Sequence, residues 1–543
     1  MRLIVIGAVA AGTSAAAKAR RNDDRAEIVI YDKDQDISYS GCGMPYYLGD
    51  EIDQISALTP RDAAFFKSKY DIDVFTKHEI THIDPLQKKL TLMDLETGKV
   101  FEDTYDKLIL ATGATSFMPS ISGIDLPHVF SLRNIRDAVK IKSFLETQKP
   151  KKALIVGTGF IGFELLENLQ HLGLDVTIVE MMPKITPTLD EDMASYLENA
   201  LRAKGVKILK SEKVLAIEEN AVLLEKAGRV EAELVIMATG VKPNVTLAKQ
   251  MGIELGSTGA IKVDAAMFTN LKDVSACGDC IETFSVITGK PVYRPLGSTA
   301  NKTGRIAGDA ITGGRLRYQG NLGTGIFKIF NLTVATTGLS EKAAYDEGYD
   351  VIVNHNIKPD KPEYFKGEEM VIKGIADRET GRLLGVQIVG GNGVDKRIDV
   401  FASLITYGAK VEDLFHLDLA YAPPFSTTKD PIHYTGMILD NAISGGRDII
   451  TADEVRKSDE DIQIIDARAL SDYENKGHVE GAVNIPHGKV REMLSTLDKD
   501  KKTVTYCNKG TTGNAVQNIL INHGFKQVKN LSGGHTFYKG TTK

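Results

Sequence analysis

A single thiol stands in the stretch SYSGCGMPYYLG, residues 38–49, where Cys42 lies between Gly41 and Gly43 and ahead of Pro45. Packing, a disulfide, a metal site and nucleophilic attack are all open to such a residue. No second cysteine is near in sequence. The thiolate is the reactive form, and a helix start lowers a thiol's pKa. Pro45 suits a first helical turn, so the spacing predicts a sulfur facing free backbone amides. The two glycines let ligands approach the backbone closely. A second candidate is Cys507 in VTYCNKGTTGNAV, at the end of an apolar strand and the start of a glycine-bearing loop before a helix. Such a loop turns several N–H groups toward the sulfur and stabilises a thiolate or persulfide. Cys277 and Cys280 form a C-x-x-C. Zinc would need two further ligands at matching spacing, none is evident, and no metal site is expected.

Two glycine loops carry nucleotide chemistry. Gly157, Gly159 and Gly162 make a full G-x-G-x-x-G directly after the apolar run ALIV. The first glycine permits the tight turn, the second a close approach of backbone to pyrophosphate, and the third close helix–strand packing. Glu180 closes the next strand 23 residues after Gly157, placed to accept from both ribose hydroxyls and to repel a 2′-phosphate. Met181 and Met182 follow with no arginine, which favours NADH over NADPH; Lys184 is the residue that would undo this preference. The first loop keeps Gly7 and Gly12 but has Val9 in the middle position, next to Ala10, with Asp32 as the acid 25 residues after Gly7. Far downstream, TNLKDVSACGDCIET ends a β-branched strand in Gly278-Asp279.

The elements that position these residues repeat. RLIVIGAVAAG…AEIVIYD and KALIVGTGFIGFELLENLQHLGLDVTIVE each read as strand, glycine turn, helix, strand. Each is followed by strand-plus-turn text, YDKLILATGAT with Thr112-Gly113 and AELVIMATGVKPN with Gly240. The pattern is a duplicated nucleotide-binding unit with the second copy inserted in the first. After residue 320 hairpin-like strands with a packed helix suggest an α+β domain, and after a break near 444–455 short strands and helices alternate again. A length of 543 residues suits three or four domains of roughly 100–200 residues. Net charge is −6 with dispersed basic residues, so no nucleic-acid footprint is visible. Four cysteines exclude a disulfide scaffold and suggest a reducing, cytoplasmic setting. MRLIVIGAVAAG resembles a signal peptide, but AEIVIYD completes a βαβ unit that a leader does not need. No apolar run approaches the roughly 20 residues of a membrane span.

With these motifs the sequence resembles the pyridine nucleotide–disulfide oxidoreductase family. The resemblance implies an α/β protein with two Rossmann-like dinucleotide-binding domains, an α+β dimerisation domain and a homodimer. The expected division is an FAD-binding domain at 1–115 and 245–320, an NAD-binding domain at 116–244 and an interface domain at 321–445. FAD falls to the first fold, with Asp279 on its ribityl chain, and NAD(P)H to the second. Dithiol members carry C-x4-C, and here the second position is Tyr47. Among single-cysteine members, peroxide and oxygen reductases usually have a histidine in the first glycine loop, where this chain has Ala10 and Ala11. S-x-x-x-C-G-x-P-Y-Y is similar to the coenzyme A disulfide reductases, as are Tyr421 in LAYAPPFSTTKDP and Tyr364 in KPEYFKG, the latter departing at Phe365-Lys366 where Tyr-Pro is expected. The resemblance implies a coenzyme A site using Ser14, Lys18 and Arg21 on and after the first helix, Ser38 and Gly41 beside the cysteine, and Lys69, Asn301 and Lys429 from elsewhere. Arg61 and Arg305 are weaker candidates. Tyr421 and Tyr364, from the partner subunit, would act as general acids.

Residues 452–543 resemble a rhodanese domain, with Cys507 as sulfur carrier. Thr512 and Gly513 stand where the loop pattern C-x-x-G-x-R-S has arginine and serine, a loss expected to weaken binding of thiosulfate and other dianions. The combined expectation is an NADH-dependent flavoprotein that reduces the sulfur–sulfur bond of coenzyme A persulfide, polysulfide or coenzyme A disulfide through Cys42. Two alternatives stay open: an NADH oxidase or peroxidase working through a Cys42 sulfenate, and a non-enzymatic redox or sulfur sensor.

Overall fold

The computed structural model describes residues 1–542; Lys543, the last residue of the expected 452–543 domain, lies outside the described residues. The chain forms two compact units, Met1–Met181 with Glu212–Asn321, and Met182–Ser211 with Leu322–Lys543.

In the first unit, apolar runs such as LIVI and IVIY are buried on both faces, as parallel strands require. Val274–Ala276, Lys107–Leu110, Arg2–Ile6, Glu27–Tyr31 and Asp73–Phe75 lie side by side in that order, all parallel. The alanine-rich helix Ala10–Asn22 packs closely on the helix Gly297–Ile311, because Gly304 and Gly308 have no Cβ to meet the carbonyls of Ala11 and Ala15. A second parallel set, Asp175–Glu180, Lys152–Val156, Leu234–Met237 and Val129–Phe130, repeats the theme. The antiparallel pair Ala114–Ser116 and Val241–Pro243 joins the two folds just past their A-T-G turns. The joint is fastened by the Thr112 hydroxyl donating to the Asn244 carbonyl at 2.7 Å and the Asn244 amide donating to the Thr112 carbonyl at 2.8 Å.

The second unit holds an antiparallel sheet in the order Gly325–Ile329, Leu332–Gly338, Leu383–Gly390, Glu369–Asp377, Val351–Pro359. A parallel sheet follows, ordered Ile449–Ile450, Val528–Leu531, Thr503–Tyr506, Gln463–Asp466, Val483–Asn484. The α/β class expected from the sequence is the class adopted, including an antiparallel sheet with packed helices. One feature of the antiparallel sheet is polar. His355, Lys373 and Gln387 are in register on three adjacent strands, and all are buried. The Lys373 ammonium meets Asp192 at 2.9 Å, Asp190 at 3.3 Å and Glu341 at 2.6 Å. His355 bonds Asp192 at 2.7 Å through Nε2 and Ser532 at 3.1 Å through Nδ1, and stacks on Phe537.

Candidate active site

The two glycine loops show which glycines the protein itself needs. Gly7 and Gly157 take φ of +108° and +110°, and a Cβ on either would strike a carbonyl of the neighbouring strand's turn, Ala111 or Ala238. A Cβ on Gly12 or Gly162 would strike the carbonyl of Gly7 or Gly157. A Cβ on Gly159, by contrast, meets nothing within 4 Å. Packing within the protein therefore does not require a glycine at the middle position, which explains how Val9 is accommodated at the start of the helix Ala10–Asn22. At the first loop the Ala8 N–H donates to the Asp32 carboxylate at 2.6 Å and the Asp34 N–H at 2.9 Å. Burial pushes the Asp32 carboxyl up despite those two donors. A ribose diol offers such a desolvated carboxylate further donors, so the cradle fits a dinucleotide. Gly278, at φ +81°, leaves room for Ala11, whose Cβ a side chain there would meet at 2.6 Å. Asp279 pairs with the Arg133 guanidinium at 2.7 Å. At the second loop the Glu180 carboxylate accepts from the Thr158 N–H at 3.1 Å and from its hydroxyl at 2.5 Å. The Lys184 ammonium is held by the Pro187 and Leu189 carbonyls.

Cys42 is solvent-exposed on the turn Gly41–Gly43, ahead of the helix Met44–Leu48 with Pro45 in its first turn. The expected lowering of its pKa is not found. Partial burial pushes the thiol up, Glu164 and Asp279 push the same way, and only Arg133 opposes them. The helix is one turn of five residues, too short for a strong dipole. Glu164 follows the second glycine loop on the helix Phe160–His171 and accepts from the Tyr46 hydroxyl at 3.4 Å. Burial, with help from Glu167, pushes the Glu164 carboxyl up to about 7. Glu164 therefore changes charge near neutrality in sight of the sulfur. Glu164→Gln removes the negative charge, so the alkylation midpoint of Cys42 moves to lower pH, with up to ~10-fold faster labelling at a fixed pH below it. Peptide mass spectrometry after timed iodoacetamide exposure checks this; an unmoved midpoint refutes the coupling.

A cavity of about 310 Å³ opens beside the first helix, and its walls include Ser14, Arg21, Arg61, Phe65, Asn301 and Arg305. The Ser14 hydroxyl donates to the Asn301 side-chain oxygen at 2.8 Å. Three guanidinium groups beside an aromatic ring suit phosphates and a base. Lys18 and Arg21 lie within the first helix, but Lys18 is occupied, paired with Asp309 at 2.9 Å. Lys69 is exposed, with its ammonium 5.4 Å from the centre of the Phe65 ring. Ser38, at φ +49°, ties the cysteine stretch to the first loop by its N–H to the Ala8 carbonyl at 2.8 Å.

The remaining candidates lie in the second unit. Tyr364 and Tyr421 are 73 % and 50 % exposed, and Lys429 is exposed beside the Tyr434 ring. Cys507 is buried at the end of the strand Thr503–Tyr506, ahead of the helix Thr511–Asn522. The Cys507 and Asn508 carbonyls accept from the His535 and Thr536 N–H groups, each at 2.9 Å. Among the described residues the N–H groups of Asn508 to Gly513 have no acceptor within the protein.

Family models match the chain in three places: pyridine nucleotide-disulphide oxidoreductase over residues 1–301, its dimerisation domain over 325–431, and the rhodanese-like domain over 451–540. The chain belongs to the pyridine nucleotide-disulphide oxidoreductases. It is an NAD(P)H-dependent flavoprotein of the disulfide- and persulfide-reducing type, carrying a C-terminal rhodanese domain. The dimerisation domain points to a homodimer. A Pyrococcus furiosus NAD(P)H sulfur oxidoreductase (CoA-dependent) is 37 % identical over 81 % of this chain and 99 % of its own. The structure of reduced Bacillus anthracis CoADR-RHD superimposes with a TM-score of 0.97 at 34 % identity, covering 99 % of this chain and 98 % of that one. That of an A. fulgidus NAD-dependent persulfide reductase gives 0.92 at 37 % identity, covering 99 % and 100 %.

In this oxidoreductase the C-x-x-C is packing material. Cys277 and Cys280 are fully buried free thiols, both pushed up by burial, and the Cys280 thiol donates to the Cys277 carbonyl at 3.2 Å. Among the described residues no cluster could hold a metal, and no helix is long and apolar enough to cross a membrane. Sequence reasoning missed Arg133, Tyr46 and Glu164. Tyr46 lay unremarked within the S-x-x-x-C-G-x-P-Y-Y stretch, and Glu164 left a trace as an acid two residues past the last motif glycine.

Proposed function

We propose that this oxidoreductase uses NADH to reduce the sulfur–sulfur bond of coenzyme A persulfide, polysulfide or coenzyme A disulfide at Cys42, with Cys507 handling sulfane sulfur. The observation that carries the reading is a lone exposed thiol in the unit that also holds both nucleotide loops and an arginine-walled cavity. FAD, when bound, supplies the two electrons from NADH that keep Cys42 reduced. Asp32 and the Gly7–Gly12 turn hold FAD, with Asp279 and the Thr112-Gly113 turn. The Gly157–Gly162 turn, Glu180 and Gly240 hold the nicotinamide dinucleotide. Glu180 followed by two exposed methionines supports NADH, as does the engagement of Lys184 with local carbonyls. Arg21, Arg61 and Arg305 take the coenzyme A phosphates, with Ser14, Asn301, Ser38, Gly41 and Lys69 as lesser contacts.

The Cys42 thiolate attacks the S–S bond of the substrate. With coenzyme A persulfide it gives a mixed disulfide with loss of hydrosulfide, or a Cys42 persulfide with loss of coenzyme A thiolate. With coenzyme A disulfide it gives the mixed disulfide with loss of coenzyme A thiolate, and with polysulfide a Cys42 persulfide with loss of the shortened polysulfide. Tyr364 and Tyr421 of the partner subunit protonate the departing sulfur. Two electrons then restore the thiolate. The domains divide the work as 1–115 with 245–320 for FAD, 116–244 for NADH, 321–445 for dimerisation and 452–543 for sulfur transfer.

The test is an anaerobic single turnover: protein reduced with one equivalent of NADH, mixed with coenzyme A persulfide, releases one equivalent of hydrosulfide. Oxygen consumption without hydrosulfide release would instead make it an oxidase. The cavity gives a separate expectation. Arg61→Ala and Arg305→Ala each raise KM for coenzyme A persulfide by ~10-fold, the loss of one charge-assisted phosphate contact. Lys18→Ala has a much smaller effect in the same steady-state assay, because its charge is already paired.

A further inference from the structure

The Cys507 loop lacks the arginine of the rhodanese pattern, yet it does not lack a cation. Lys358, on the strand Val351–Pro359 of the dimerisation sheet, donates from its ammonium to the Thr511 hydroxyl at 3.0 Å. Thr511 is the first residue of the helix that the loop opens, two positions from the missing arginine's neighbour Gly513. The ammonium also lies 4.1 Å from the centre of the Tyr434 ring, and the Lys429 ammonium lies 5.6 Å from it. Lys509, within the loop, is paired with Glu369. Lys358 is half-buried, and among the described residues it forms no ion pair with a carboxylate. Beside it stand the unused N–H groups of Asn508 to Gly513. A half-buried cation without a counter-charge, next to six free donors and a thiol, is an arrangement completed by an anion.

We propose that Lys358, reaching in from the dimerisation domain, supplies the positive charge that the rhodanese loop has lost and binds an anionic sulfane-sulfur donor at Cys507. The Lys358 pKa is lowered, by burial first and by Lys509 and Lys429, against the opposing pull of Cys507 and Glu369, so an anion at the loop would strengthen its charge. The inference revises the sequence expectation that dianions bind poorly, and it rests on the reading of Cys507 as sulfur carrier. With thiosulfate the step is balanced as follows. The Cys507 thiolate bonds to the sulfane sulfur, the S–S bond of thiosulfate breaks, and sulfite leaves with the electron pair. A Cys507 persulfide anion remains under the Lys358 charge.

The full-length holoprotein is assayed with thiosulfate as donor and cyanide as acceptor, reading thiocyanate, with the Cys507 persulfide measured by mass spectrometry. Lys358→Met raises KM for thiosulfate at least ~10-fold, with a smaller change in kcat. Lys358→Arg recovers most of the loss, and salt weakens the parent more than the Met variant. A merely structural role would not give that rescue or that change in salt dependence. An unchanged KM in a folded Lys358→Met protein overturns the inference and leaves Cys507 as carrier intact. If the parent forms no Cys507 persulfide, or Cys507→Ser transfers sulfur as fast, the carrier reading fails and the inference falls with it.

Discussion

Cys42→Ser lowers kcat with coenzyme A persulfide by at least ~10³-fold, equivalent to ~4 kcal/mol of lost transition-state stabilisation. NADH still reduces the bound flavin in this variant, since no residue of either nucleotide loop is altered. The loss is large because no other thiol in the first unit can take over. Cys277 and Cys280 are fully buried and their thiols are pushed up, and Tyr47 occupies the position where a dithiol member has its second cysteine. A serine hydroxyl is a far weaker nucleophile at neutral pH and forms no bond equivalent to a disulfide. Stopped-flow absorbance with hydrosulfide detection reads both half-reactions. Release of hydrosulfide at the parental rate from the serine variant would remove Cys42 from the mechanism. Preserved oxygen reduction in that variant would likewise dismiss the sulfenate alternative.

The largest expected effect on stability comes from Lys373→Met. Lys373 is 0 % exposed on the interior strand Glu369–Asp377 of the antiparallel sheet and faces Asp190, Asp192 and Glu341. Removing the cation strands those carboxylates beside one another, at a cost of ~3–5 kcal/mol. A chain with two units does not unfold as a single two-state system. Hydrogen exchange on the strand Glu369–Asp377 therefore reads the loss where it occurs, and protection equal to the parent's would refute the assignment. The pH dependence has a defined sign. Burial alone would raise the Asp192 carboxyl, but Lys373 and His355 hold it well below the usual range. Its folded pKa is depressed, so its stabilisation is present above the unfolded value of about 4 and fades as pH falls below it. Burial works against the Lys373 ammonium, but Asp192, Asp190 and Glu341 hold its pKa above the ordinary value. That contribution is full below about 10.4 and is lost only as pH rises beyond it. Asp192→Asn accordingly flattens the acid limb of the protection profile.

Much of this architecture was legible in the chain itself. Buried parallel strands need runs of β-branched residues, tight turns need glycine, and both leave local marks in LIVIG and ALIVGTG. Gly7, Gly12, Gly157 and Gly162 answer to contacts inside a single βαβ unit, which is why a short motif could report them. Cys42, Tyr47 and Cys507 were equally visible, because residue type alone decides what a sulfur atom offers. The electrostatics of those sulfurs were not visible. Burial at Cys42 and the approach of Glu164, over a hundred residues away in the chain, together push the thiol's pKa up where the sequence predicted a lowering. The cations tell the same story. Lys18 looked as suitable as Arg61 or Arg305, and only the fold paired Lys18 with Asp309 and set the two arginines in a cavity wall.

The sequence by itself determined the class of fold, the glycine loops and the two cysteines proposed here as reactive, since these depend on local periodicity, backbone freedom and side-chain chemistry. Only the tertiary structure decided which charges face those cysteines, from Glu164 and Arg133 at Cys42 to Lys358 at the Cys507 loop, because Coulomb interactions depend on distances that chain separation does not encode.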